Sequence, residues 1–217
     1  MRRRLFLLAL TAILVAFFLV WLPHPAAGLS YIGLEMGEQA KFLPQVRSGE
    51  VAPDRSLFYL PPITLALMLL LLTTFWSGSR WQTWAARAVA VAVSLLALPG
   101  LEALGDPDPS EWLWRLLLIA LVVLVAALTP WLSRRPARLR WGAAALAALA
   151  GAILPTWAYL AVRPLFAALL RQDLGAGPGV WLNLAGHLLA LAIALDWARL
   201  VPRGKEKETA HRAVSPS

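Results

Sequence analysis

The sequence predicts an all-α integral membrane protein, a six-helix transmembrane bundle with short amphipathic helices in its outer loops. Three observations lead there. The chain is 59% hydrophobic and 15% charged, whereas soluble domains are about 45–50% apolar and about 25% charged. The apolar residues fall in long runs, and a hydrocarbon core about 30 Å thick needs about 20 of them per helix. These runs do not alternate with polar residues, as the strands of a membrane barrel do.

The spans read, in order, Leu5–Leu22, Leu57–Trp76, Ala85–Leu104, Trp112–Leu132, Trp141–Val162 and Trp181–Leu200. They make one transmembrane domain over 1–200, followed by a polar tail, 201–217, whose composition predicts disorder. The first span follows Arg2–Arg4 and precedes Ala26-Ala27-Gly28, as a secretory signal would. Its apolar run is longer than the usual 7–15 residues of a signal, roughly, so an uncleaved first helix is expected. Pro61 and Pro62 open the second span, where missing N–H groups are tolerated. Pro99 and Pro155 are expected to kink the third and fifth, with Thr156 bonding carbonyls that Pro155 frees.

Orientation follows from charge. With the N-terminus inside, the inner segments hold 14 basic and 3 acidic residues and the outer segments 6 basic and 9 acidic. Cytoplasmic loops carry the excess of Lys and Arg, so both termini are placed in the cytoplasm. Most of the 11 tryptophans lie at predicted span ends, the headgroup level that suits an indole. Trp21 marks the outer face in this reading, and Trp76, Trp141 and Trp197 the inner one. The net charge of +8 is therefore topological and implies no nucleic acid. The bilayer and partner membrane subunits are the expected partners. Arginine-rich, lysine-poor usage resembles that of GC-rich prokaryotic genomes and points to the plasma membrane.

Two outer loops have structure of their own. Over Tyr31–Leu43 the apolar Ile32, Met36 and Leu43 share a helical face, with Glu35, Glu38 and Lys41 mostly away from it. That predicts a surface helix ended by Pro44. In 163–180, Pro164 suits a helix first turn and Gly175-Ala176-Gly177-Pro178-Gly179 a stop.

Few polar groups lie at membrane depth, and those are the functional candidates. Asn183 and His187 are four apart on one face of the sixth helix. Together with Thr156 and Tyr159 they define an expected ligand-binding pocket, or, more simply, hydrogen bonds between helices. Glu102 and Arg115, at similar depth on neighbouring helices, are expected to form a buried ion pair. Asp196 is expected in an interfacial ion pair, with Arg199 three residues on. Glu102, Asp106, Asp108 and Glu111 crowd one outer turn, but without the glycine-marked pattern of a calcium loop. The fifth span carries two stripes of small residues, Ala143/Ala147/Gly151 and Ala144/Ala148/Ala152, which suit close helix packing.

The chain has no cysteine, which excludes disulfides and thiolate metal sites. It carries no Walker loop, no His-Glu-x-x-His and no ladder of basic residues across a span. No cofactor, metal or catalytic constellation is implied. The leading expectation is a non-enzymatic subunit or accessory protein of a membrane complex. The alternative is a small transporter with a pocket near His187. An enzyme built on Glu35, Glu38 and His24 ranks below both, since no acid–base spacing supports it.

Overall fold

The computed structural model describes residues 2–51, 54–76, 81–100, 103, 109 and 112–200. The protein is all-α, about 80% helical. Helix α1 spans Arg2–Phe18, α2 Gly33–Ala40, α3 Pro44–Arg47, α4 Leu60–Thr73, α5 Trp81–Ser94, α6 Leu113–Leu132, α7 Ala137–Leu170 and α8 Pro178–Leu200. Four segments are long and apolar enough to cross a membrane: Arg55–Thr73, which is α4 with its leading turn, and α6, α7 and α8. The other two expected spans are shorter as helices. α1 has 17 residues and α5 has 14.

Each shortening has a local cause. The first apolar run leaves the helix at Phe18, and Val20–Leu22 forms a strand, β1, paired antiparallel with β2, Tyr31–Ile32. Trp21 is thereby drawn inward rather than standing in an outer belt. It is fully buried, and its indole N–H donates to the Ala16 carbonyl at 2.9 Å. A Cβ at Gly33 would stand 2.6 Å from that indole nitrogen, and one at Gly179 would also meet the ring. The two glycines let α2 and α8 close around Trp21. α5 gives way to a 3-10 turn at Leu95–Ala97 just ahead of Pro99, because proline offers no N–H and disfavours helix in the residue before it.

In the first of the two loops expected to have structure, α2 stops at Ala40, and Pro44 opens α3 instead of ending the expected surface helix. In the second, Pro164 begins nothing: α7 runs through both Pro155 and Pro164 and ends only at Arg171, which takes a left-handed conformation, φ 52°.

α4 is the axis of the bundle. Its apolar stretch is 78% buried, packed by α1, α5, α6 and α7. α8 packs against α7 and α1. α6 is peripheral, only 22% buried, and leaves Leu117, Leu121, Leu124 and Leu128 exposed along one flank. Of the two small-residue stripes on α7, Ala144, Ala148 and Ala152 are buried, whereas the other runs from buried Gly151 out to exposed Ala143. An all-alanine seam suits the α7–α8 and α7–α4 contacts because small side chains let backbones approach.

The start of α1 and the last turn of α8 meet at one end of the bundle. Arg2 Nε lies 3.2 Å from Asp196 Oδ2, so the partner of Asp196 is on α1 rather than at Arg199. The same end is rich in aromatic rings: Trp141 stacks on Phe75 at 4.6 Å and touches Trp197 at 4.1 Å. At the opposite end, β1, β2, α2 and the top of α7 enclose a second apolar core around Trp21, Met36, Phe58, Tyr159 and Phe166.

Candidate functional site

Pro155 explains the first polar site. Lacking an N–H, it leaves the carbonyl of Gly151, four residues back, without its helical donor. The Asn183 side-chain amide supplies that donor from α8, Nδ2 to Gly151 O at 3.2 Å. One turn on, His187 Nδ1 lies 2.9 Å from the Asn183 carbonyl, which can only accept, so Nδ1 carries a hydrogen. His187 Nε2 and the Thr64 hydroxyl of α4 are 2.9 Å apart. Thr64 also reaches the Leu60 carbonyl at 2.9 Å. Three helices are thus tied together by polar contacts, and Asn183 and His187 are fully enclosed, each 0% exposed. Glycine is required at the crossing: a Cβ on Gly151 would overlap His187 Nε2 and stand 2.5 Å from Thr64 Oγ1.

The other two residues expected beside His187 are engaged elsewhere. Thr156 donates to Ala152 O at 2.7 Å on its own helix, not to the carbonyl that Pro155 frees. Tyr159 is buried in the second apolar core, edge-on to Trp21, with its hydroxyl donating to Gly175 O at 2.6 Å. The structure therefore assembles Asn183 and His187 with Thr64 and Gly151, both absent from the sequence-based set. The Pro155 offset of four to Gly151 was the available signal.

Arg115 makes the second site, and its described partners were not foreseen. Glu102 lies outside the described residues, as do Asp106, Asp108 and Glu111 of the acidic turn. Arg115 Nη1 instead donates to Glu38 Oε1 at 2.6 Å, across 77 residues of chain. Its Nε and Nη2 donate to the carbonyls of Ala97 and Leu98, each at 2.8 Å. Those carbonyls lie where α5 gives way to turn and coil, so the arginine satisfies backbone that the break before Pro99 exposes. The guanidinium also stacks on Tyr59, 3.7 Å from the ring centroid. Tyr59 donates its hydroxyl to Glu38 Oε1 at 2.6 Å, and Lys41 Nζ stands 3.3 Å from Oε2. Gly37 makes this possible: a Cβ there would be 2.6 Å from the Tyr59 ring.

Burial raises the pKa of the Glu38 carboxyl, but hydrogen bonds from Tyr59 and Arg115 and the Arg115 charge outweigh it and hold it at about 2. An acid held ionised so firmly transfers no proton near neutral pH. A cavity of about 410 Å³ adjoins the cluster, bordered by Glu35, Gln39, Lys41 and Arg115. Glu35 caps its own helix by accepting from Ile32 N at 3.2 Å, and His24 Nδ1 accepts from Ala26 N at 3.0 Å. Both are committed to local structure. Arg115 holds a broken helix, a surface helix and the start of α4 together, and its chemistry is positional.

The fold and these two sites define a helical protein with four segments long and apolar enough to cross a membrane, in which polar contacts tie helices together although Asn183 Oδ1 is buried without a hydrogen-bond partner. No family model matches the chain, and no curated protein or solved structure is significantly similar to it.

Proposed function

We propose that this chain is a non-enzymatic subunit or accessory protein of a membrane complex. In this reading it crosses the plasma membrane six times, with an uncleaved first helix and both termini in the cytoplasm. The observation that supports it most is the closure of the His187 site. A histidine serving transport would face a water-filled path. Here both ring nitrogens are bonded to protein, and the side chain is enclosed between α4, α7 and α8. α1 contributes Phe6, Ala9 and Ile13 to the core, which favours its retention. The exposed apolar flank of α6 is one of the surfaces open to lipid or another subunit.

Two measurements test the reading. Crosslinking at native expression, followed by extraction in mild detergent, should recover the chain with a stoichiometric membrane partner; a monomer alone would contradict it. His187→Ala should lower the melting temperature while leaving proton or solute flux in proteoliposomes unchanged. A wild-type flux that disappears with His187→Ala would establish the transporter instead. Six spans require reporter tags after Arg4 and Gly204 on one side of the bilayer and a tag after Pro107 on the other.

A further inference from the structure

The end of the bundle where the start of α1 meets the last turn of α8 carries two apolar cavities rimmed by arginine. The first, about 460 Å³, is lined by Leu72, Phe75, Trp76, Trp141, Trp197 and Leu200, with Arg3 at its edge. The second, about 280 Å³, lies between α6 and α7 over Leu71, Leu139 and Ala143, with Arg135 and Arg140 at its edge. They share neighbouring positions of α4, and Arg140 stacks on Phe75 at 4.0 Å between them. The arginines are held in place. Arg3 lies over Trp76 at 4.1 Å, Arg135 over Trp131 at 3.8 Å, and Arg140 donates to Thr74 O at 3.0 Å. Among the described residues, neither cavity has an acidic residue in its lining.

We propose that this end binds an anionic glycerophospholipid, with acyl chains in the two apolar cavities and phosphate on the arginines that rim them. Charge and apolarity must both be matched, and a phospholipid of net negative charge does so in one molecule. Guanidinium groups bind phosphate oxygens through paired N–H donors, and basic pockets between membrane helices at the interface take anionic headgroups. Indole rings at this level hold the chains and the protein at one depth. The protein's own 201–217 segment fits poorly as occupant, because it carries Arg203, Lys205, Lys207 and Arg212 against Glu206 and Glu208. It has the sign of the rim.

Native mass spectrometry of the full chain, released from detergent containing equal phosphatidylglycerol and phosphatidylcholine, tests this. The expected result is a phosphatidylglycerol adduct favoured over phosphatidylcholine by about fivefold per engaged arginine. Arg3→Gln with Arg135→Gln, both at exposed positions, should cut the preference toward unity, whereas Arg47→Gln with Arg55→Gln in the outer loop should not. Should the double variant not fold, the wild-type chain still decides: phosphatidylglycerol should raise its melting temperature and phosphatidylcholine should not. Equal retention of both lipids overturns the proposal. So does displacement by millimolar inorganic phosphate, a dimer in place of a lipid adduct, or an adduct seen only when the chain is cut after Leu200.

Discussion

Gly151→Ala is expected to lower stability by about 3–5 kcal/mol, from overpacking and from buried polar groups left without partners. A single methyl there would occupy the space of the His187 ring and press on Thr64. The ring has no free direction, because Nδ1 is tied to the Asn183 carbonyl and Asn183 in turn reaches the Gly151 carbonyl. A melt in mild detergent should show a fall on the order of 10 °C. The cause is distinguishable from a generic helix effect, since alanine is the better helix former. The double variant Gly151→Ala, His187→Ala should melt near His187→Ala alone, because the second truncation empties the space the methyl needs. Additive losses in that pair, or an unchanged melt for Gly151→Ala, would contradict the crossing geometry.

Arg115→Met is expected to cost about 1–3 kcal/mol, the range for leaving buried acceptors without their donor, since the Glu38 side chain is 37% exposed and keeps Tyr59 and Lys41. Arg115 is only 5% exposed, and its loss leaves the carbonyls of Ala97 and Leu98 without their donor and removes one of the partners of Glu38. Glu38→Gln should do less harm, because the amide oxygen still accepts from Arg115 and Tyr59. The acid dependence has a definite sign. Glu38 titrates near 2 when folded, below its ordinary 4.5, so its stabilisation is complete above about 4.5 and is lost as pH falls toward 2. In Arg115→Met the carboxyl keeps only Lys41 as a cationic partner, and the loss should begin at higher pH. Melting curves between pH 7 and pH 2 read both effects. Superimposable pH profiles for the two proteins would show that the pair does not govern the titration.

The bundle was legible in the sequence wherever apolarity ran unbroken, as in α4, α6, α7 and α8. It was misread where a local device cut the run short. The β1–β2 pairing ends α1 early, and Pro99 ends α5. Periodicity reports which residues share a face, so Asn183 and His187 were paired correctly. It is silent on what the facing helix offers, which is why Thr64 and Gly151 were missed and Tyr159 was placed too near. Arg115 is the clearest case. Sequence proximity favours Glu102 across one hairpin, yet the described partner is Glu38, 77 residues away. A hydrophobic pattern carries no information on such a contact.

The length of α7 sets the vertical reach of the whole molecule. Its 34 residues make a rod roughly 51 Å long at about 1.5 Å per residue, against about 30 Å of hydrocarbon. Membrane helices lean by about 20° on average and seldom past 40°, so leaning alone does not submerge it. In the six-span reading, with Arg138 and Arg140 at one interface, its far end passes beyond the hydrocarbon into the opposite headgroup layer.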